Sequence, residues 1–141
     1  MGIATMIGAS IKRREDPRLI TGQATYVDDI KLIGMLHMTV LRSPYGHARI
    51  TSIETEAARK HPGVVAVYTA EDLKGKVGNM SVGVLLAPYI EKGMGWRGPL
   101  AEGKVRFYGD PVAVVIAQDP YIAIDALELI DVDYEPLPAA I

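Results

Sequence analysis

Apolar and polar positions in the C-terminal third of the chain follow a pattern that predicts a strand, a helix and a second strand. Val112 to Ala117 is an unbroken, mostly β-branched apolar run, which is typical of a strand covered on both faces. Asp119-Pro120 supplies an N-cap and a first helical residue. Asp131 to Glu135 then alternates in polarity and predicts an exit strand. The apolar stripe of the helix between them consists of Ala123, Ala126, Leu127 and Ile130.

The middle of the chain repeats this order of elements. A strand over Ala48–Ile53, a helix over Glu54–Lys60 and a strand over Val64–Tyr68 form a second strand–helix–strand unit. Thr69 is predicted to cap one helical turn over residues 70–73, with Asp72 near the third position. The weaker signals predict a strand over Met35–Arg42, a surface loop over Lys12–Arg18 and a short strand over Ala24–Val27.

A long segment rich in glycine, residues 75–103, separates the two units and contains the only tryptophan. A link of this length inside a compact domain is usually functional or packed against a partner. We therefore expect an α+β fold with a mixed sheet, two main helices and one long glycine-containing loop. The whole chain is expected to be one domain, with residues 1–30 as an N-terminal arm and first strand and residues 31–141 as the main body.

Composition narrows the class of protein. The chain has 141 residues, of which 49% are hydrophobic and 23% charged, as in a soluble globular domain. A net charge of −2 gives no reason to expect nucleic acid or a membrane as a partner. The chain has no cysteine, so it forms no disulfide and supplies no thiolate to zinc or an iron–sulfur cluster. No signal peptide or membrane span is expected, and a cytoplasmic location is predicted.

Histidine and serine offer the first candidate chemistry. Ser43 and His47 could form a nucleophilic pair, but no G-x-S-x-G elbow is present and Ser before Pro is a common turn. His37, His47 and His61 could bind a metal, yet no H-x-x-x-H pair occurs. A structural role is the favoured interpretation for all four residues.

Charged clusters are the second candidate. Adjacent carboxylates such as Asp28 and Asp29 point to opposite faces of a strand, whereas Asp131 and Asp133 share a face that is more typical of a solvated edge. The basic run Lys12–Arg14 is followed at once by acidic residues, which favours a solvated turn. The glycines of the long loop do not match a phosphate-binding pattern.

Interface-forming residue types occur in the long loop. Trp96 and Arg97 are types that anchor protein interfaces, and Tyr89 and Met94 lie nearby in the sequence. These four residues are predicted to dock onto another domain or subunit. The alternative, that Trp96 folds back onto its own core, stays open.

Four segments also carry a family resemblance. Residues 104–138, with VRFYGDPVAVVIA leading into a helix and then VDYEPLP, resemble the N-terminal domain of the molybdopterin-binding large subunit of the aldehyde oxidase, xanthine dehydrogenase and aerobic carbon monoxide dehydrogenase family. Leu41–Ile50 (LRSPYGHARI) and Pro62–Leu73 (PGVVAVYTAEDL) are similar to two further family motifs. Ile7–Ile30 is similar to the family's opening, and the four matches come in order.

The resemblance implies an α/β hammerhead fold with a supporting role in a molybdenum hydroxylase that oxidises an aldehyde, carbon monoxide or a related small substrate. The family's pterin-contacting loops and catalytic glutamate lie in later domains, so no catalytic, cofactor-binding or metal-binding residue is carried over to this chain. Molybdopterin with molybdenum is implied for the complete enzyme only. The implied partners are the remaining large-subunit domains, an iron–sulfur small subunit and a flavin medium subunit.

Other interpretations of the sequence remain open at this point. The chain could be a separate subunit or a fragment, and an exposed apolar patch would favour homo-oligomers. It could instead be a stand-alone binding module that uses the 75–103 loop, or a small hydrolase built on Ser43 and His47. We expect no catalysis by this chain alone.

Overall fold

The computed structural model describes Gly8 and residues 10–78 and 98–138, which fall into two compact units, Met1–Ile33 and Gly34–Ile141. The first unit contains helix α1 (Asp16–Ile20) and a 3-10 turn (Val27–Asp29). The predicted loop over Lys12–Arg18 is therefore wrong in part, because α1 begins at Asp16. The predicted strand over Ala24–Val27 is wrong in full.

Two local effects explain these differences in the first unit. Pro17 lies in the first turn of α1, where its fixed φ suits a helix. The Asp29 carboxylate accepts a hydrogen bond from the Tyr26 backbone N–H at 2.9 Å, which winds the chain into a turn where an extended strand was predicted.

The second unit contains most of the regular structure. Its helices are α2 (Glu56–Lys60), α3 (Ala70–Leu73) and α4 (Pro120–Glu128). Its strands are β1 (His37–Arg42), β2 (Ala48–Glu54), β3 (Val64–Thr69), β4 (Lys104–Val105), β5 (Pro111–Ala117) and β6 (Asp131–Pro136). Each strand and helix that the sequence predicted in this unit is present, with ends that differ by at most two residues.

The strands form two sheets of three, in the orders β1-β5-β3 and β4-β2-β6, and every pairing is antiparallel. The α+β class and the two main helices, α2 and α4, are confirmed, but the single mixed sheet is not found among the described residues. The helix of each strand–helix–strand unit carries the chain from one sheet to the other. Parallel pairing requires both strands in one sheet, so neither unit produces it.

The main core lies between the first sheet and helices α2 and α4, with β5 as its central strand. Alanines on both sides allow α4 to approach the sheet closely. The second sheet builds a smaller core around Val105 and Val112, and Ile53 and Val132 pack against both clusters. The buried members of the main core are Ala58, Val67, Ala113, Val115, Ala117, Ala123, Ala126 and Ile130.

Both predicted caps are confirmed. Asp119 Oδ1 accepts a hydrogen bond from the Tyr121 backbone N–H at 2.8 Å at the start of α4. Asp72 Oδ2 accepts from the Thr69 backbone N–H at 2.8 Å and from the Thr69 hydroxyl at 2.9 Å. In the part of the chain that the structure describes, no helix is long and apolar enough to span a bilayer.

Candidate functional site at the junction of the two sheets

Two loops of the second unit meet where strands from both sheets begin and end. Residues 43–47 connect β1 to β2, and residues 106–110 connect β4 to β5. The Ser43 N–H donates to the Asp110 carbonyl and the Gly109 N–H donates to the Ser43 carbonyl, both at 2.9 Å. Arg42 Nη1 also donates to the Gly109 carbonyl at 3.0 Å. These three bonds fix the two loops to each other, and we call this region the junction.

The Ser43 hydroxyl is engaged within its own loop. The residue is 2% exposed, and its Oγ donates to the Tyr45 carbonyl at 3.2 Å and accepts from the Tyr45 N–H at 3.0 Å. Its single proton is therefore already used in a hydrogen bond. The geometry supports the turn interpretation of Ser43.

Asp110 is the second buried polar residue of the junction. It is 0% exposed, and its Oδ2 accepts a hydrogen bond from the Arg106 backbone N–H at 2.9 Å. This bond closes the 106–110 turn, which Gly109 completes with a φ of +84° that favours glycine. Gly, Asp and Pro are all typical turn residues, so residue type alone does not predict that the Asp110 carboxylate is buried. An acid placed directly before an entirely apolar strand was the available signal.

Tyr45 and Tyr134 line the other side of the junction. Their ring centroids lie 5.1 Å apart with planes tilted by 44°, a favourable aromatic arrangement. Burial raises the pKa of Tyr134, the Ser43 hydrogen bond opposes this, and the nearby Tyr45 and Asp110 raise the pKa further. The net shift is upward, so the Tyr134 phenol keeps its proton and serves as a hydrogen-bonding group.

His47 closes the junction from the end of the chain. Its Nδ1 lies 2.7 Å from the Pro138 carbonyl oxygen, and its own carbonyl accepts from the Leu137 N–H at 3.0 Å. No hydrogen bond within the described ranges joins His47 to Ser43, so the two do not form a nucleophile–base pair here. His47 attaches the end of β6 to the start of β2.

The other titratable candidates do not converge. His37 lies on β1, and His61 follows α2 with its buried Nδ1 unpaired. Asp131 and Asp133 are exposed on β6, where Asp133 accepts from the Ser52 hydroxyl at 2.8 Å. Across residues 10–78 and 98–138, no group of three or more such side chains could hold a metal ion.

The charged residues of the first unit are solvent-exposed. Arg13 forms ion pairs with Glu15 at 3.6 Å and Asp16 at 3.5 Å, as expected for a solvated turn. Asp28 is exposed beside Asp29, whose carboxylate is bonded to its own turn. A cavity of about 410 Å³ in this unit has a border of mixed charge that includes Arg13, Glu15 and Arg18.

One cavity of the second unit does not fit a molybdopterin cofactor, whose phosphate is anionic. A cavity of about 340 Å³ in the second unit is lined by Glu71, Asp72 and Glu102. Its one cation, Arg59, is bound to Asp72 at 2.8 Å. The negative charges of these three carboxylates repel a phosphate. The polar groups of the junction are hydrogen-bonded within it, so the arrangement can hold the loops in place and offer surface, and we derive no reaction step from it.

Exposed aromatic side chains surround the junction. Tyr108 is 78% exposed, and Phe107 and Tyr45 are also accessible. Aromatic residues at the surface are common anchors of protein interfaces. The four interface residues predicted from sequence lie outside the described residues: Tyr89, Met94, Trp96 and Arg97.

Comparison with known proteins agrees with this geometry. Residues 21–138 match the family described as "Aldehyde oxidase and xanthine dehydrogenase, a/b hammerhead domain". The chain is 46% identical over 135 residues to the carbon monoxide dehydrogenase large chain of Afipia carboxidovorans, with 96% of this chain and 16% of that protein covered. It is 44% identical to the 6-hydroxypseudooxynicotine dehydrogenase complex subunit gamma of Paenarthrobacter nicotinovorans, covering 94% and 17%.

A solved structure gives the same result. The crystal structure of quinoline 2-oxidoreductase from Pseudomonas putida 86 superposes with a TM-score of 0.75 at 42% identity, covering 93% of this chain and 16% of that chain. The chain thus spans about one sixth of the length of these relatives. From the family match and the shared fold, the chain belongs to the a/b hammerhead domain family of aldehyde oxidase and xanthine dehydrogenase, found in the large subunits of molybdenum hydroxylases.

Proposed function

We propose that this chain serves as the structural hammerhead domain of a molybdenum hydroxylase large subunit that oxidises an aldehyde, carbon monoxide or a related small substrate. The observation that carries the proposal is the 46% identity to one carbon monoxide dehydrogenase large chain over nearly the whole of this chain. The domain's own contribution is rigidity: the junction joins the loops between β1 and β2 and between β4 and β5 without using a reactive group.

We propose that other parts of the complete enzyme bind the cofactor. A relative in Escherichia coli is a xanthine dehydrogenase molybdenum-binding subunit, 34% identical over 131 residues, which supports a molybdopterin site in the complete protein. We propose the remaining large-subunit domains, an iron–sulfur small subunit and a flavin medium subunit as partners. The division of the chain near residue 30 and the cytoplasmic location stay predictions.

The alternative of a stand-alone binding module stays a prediction too. It depends on the 75–103 loop, of which residues 79–97 lie outside the described residues. No contact of the described residues favours it over the enzyme-domain proposal.

A domain exchange tests the proposal. The matched segment of the Afipia carboxidovorans large chain is replaced by this chain, and the hybrid is produced with the enzyme's other subunits. We expect the hybrid to assemble, to retain molybdenum and to oxidise carbon monoxide, because the two segments are 46% identical. The measurements are size-exclusion chromatography, metal analysis and the rate of carbon monoxide oxidation.

A matched control separates general intolerance from a failed proposal. The same exchange is made with the segment of the Paenarthrobacter nicotinovorans subunit gamma, whose identity to this chain is 44%. If that hybrid assembles and the hybrid with this chain does not, the proposed function is wrong.

A further inference from the structure

One face of the first sheet consists only of apolar side chains. The register places Met38 of β1 opposite Ile116 of β5, and Ile116 opposite Ala66 of β3. Residues directly opposite one another in antiparallel strands point to the same face. The next row of the same face follows two residues along each strand. The six side chains of this open face are Met38, Val40, Ala66, Tyr68, Val114 and Ile116.

The opposite face of this sheet is the covered one. Val67, Val115 and Ala117 alternate with the open-face residues and belong to the main buried core with α4. None of the six open-face residues belongs to either buried cluster. Met38 is 65% exposed and Tyr68 is 37% exposed. Within the described part of the second unit, the helices that cover this sheet lie on its other face.

An entirely apolar open face is unusual for an antiparallel sheet. Such sheets ordinarily carry polar side chains where one face meets water. The second sheet follows that rule, since Asp131, Asp133 and Glu135 are exposed on β6. The apolar composition of the open face is therefore that of a surface covered by another protein segment.

The size of the open face indicates whether a separate protein or the same polypeptide covers it. Three strands spaced about 4.8 Å apart, carrying two rows of side chains about 6.6 Å apart, give a footprint of roughly 200 Å². Stable interfaces between separate proteins bury about 800 Å² on each partner. A face this small suits a contact within one polypeptide, where covalent linkage supplies a high effective concentration.

We propose that the open face is covered by an apolar surface of the remainder of the large subunit. The inference rests on the proposed function, because the longer relatives supply the remainder: this segment makes up only 16% of the Afipia carboxidovorans large chain. The open face is the part of the hammerhead domain that the rest of that polypeptide contacts.

The test places a charge on the open face in two contexts. Met38→Lys and Tyr68→Lys are made in the isolated chain and in the hybrid large chain described above. In the isolated chain, where Met38 is 65% exposed, we expect Met38→Lys to leave the urea midpoint unchanged. In the hybrid, a lysine would be buried without a partner, and we expect the yield of assembled enzyme to fall roughly tenfold or more.

Tyr121→Lys is the matched control, because Tyr121 lies on α4 and is 74% exposed. It should leave the hybrid's assembly unchanged. The inference is overturned if Met38→Lys and Tyr68→Lys behave like this control. A fall of the urea midpoint in the isolated chain would mean that the chain covers its own face. An isolated dimer that Met38→Lys dissociates would mean that a second copy covers it. If the unmodified hybrid fails to assemble while the control hybrid with the Paenarthrobacter nicotinovorans segment assembles, the proposed function and this inference are both wrong.

Discussion

Ser43 and Asp110 are joined by a backbone hydrogen bond of 2.9 Å, from the Ser43 N–H to the Asp110 carbonyl. They are also the two buried polar residues of the described chain. One follows β1 and the other precedes β5, so the bond continues the pairing of these strands beyond the sheet. The junction is therefore an extension of the first sheet by backbone hydrogen bonds.

Ser43→Ala should destabilise the chain by about 1–3 kcal/mol, because the Tyr45 N–H loses its buried acceptor. The free energy of unfolding is measured by urea denaturation. Ser52→Ala is the control: the Ser52 hydroxyl bonds Asp133 near solvent, and its loss should cost less than about 0.5 kcal/mol. Equal costs for the two variants would contradict the role of the junction.

Gly63→Ala should destabilise the chain by about 1–3 kcal/mol for two reasons. Gly63 has a φ of +85°, and a Cβ there would lie 2.7 Å from Ile122 Cδ1. Replacing Ile122 with Val removes that atom, so Gly63→Ala should cost about 1 kcal/mol less in the Ile122→Val background. A double-mutant cycle in urea measures this difference. A coupling energy of zero would show that backbone conformation alone sets the cost.

Asp72 should make the stability of the chain depend on pH in the acid range. Partial burial acts to raise the pKa of Asp72, but hydrogen bonds from Thr69 and the charge and hydrogen bond of Arg59 outweigh it, so the pKa is lowered. A carboxyl whose pKa is lower in the folded state stabilises fully above its unfolded pKa of about 3.9, and this contribution is lost as pH falls through the folded value.

Asp72→Asn should therefore be less stable than the unmodified chain at neutral pH, and the difference should shrink below about pH 4. Urea denaturation of both proteins across pH 3 to 7 measures it, with pH values chosen around that reference. A difference that stays constant down to the lowest pH would show that the Asp72 charge does not stabilise the fold.

Asp119→Ala should cost about 1 kcal/mol, because the Tyr121 N–H at the start of α4 loses its cap. Asp119→Ser keeps a side-chain acceptor and should recover most of that stability. Thermal unfolding followed by circular dichroism compares the three proteins. If serine and alanine are equally destabilising, the cap hydrogen bond is not the cause.

Local signals explain why much of the second unit was predictable. The apolar run of β5 and the Asp119-Pro120 cap determine their elements with residues adjacent in sequence, and both are confirmed. The family motifs likewise predicted the fold class. In the first unit, the wrongly predicted strand over Ala24–Val27 depended on weak propensity, and one side chain–backbone bond from Asp29 was enough to favour a turn.

Non-local pairing explains what the sequence did not show. The division into two sheets depends on the pairing of β1 with β5 and of β2 with β6. These strands are far apart in the sequence. The burial of Asp110 depends on the distant loop that carries Ser43. The two-residue strand β4 is too short to produce a pattern of its own. The interface residues around Trp96 stay a prediction.

The pairing order also constrains how this domain is made on the ribosome. Every described strand pair includes a strand that starts at Lys104 or later. While the nascent chain is shorter than that, β1, β2 and β3 have emerged before any strand with which the described pairs join them. Unpaired strand edges are prone to aggregation until their partners arrive. The topology therefore postpones formation of both sheets until the last third of the chain has been made.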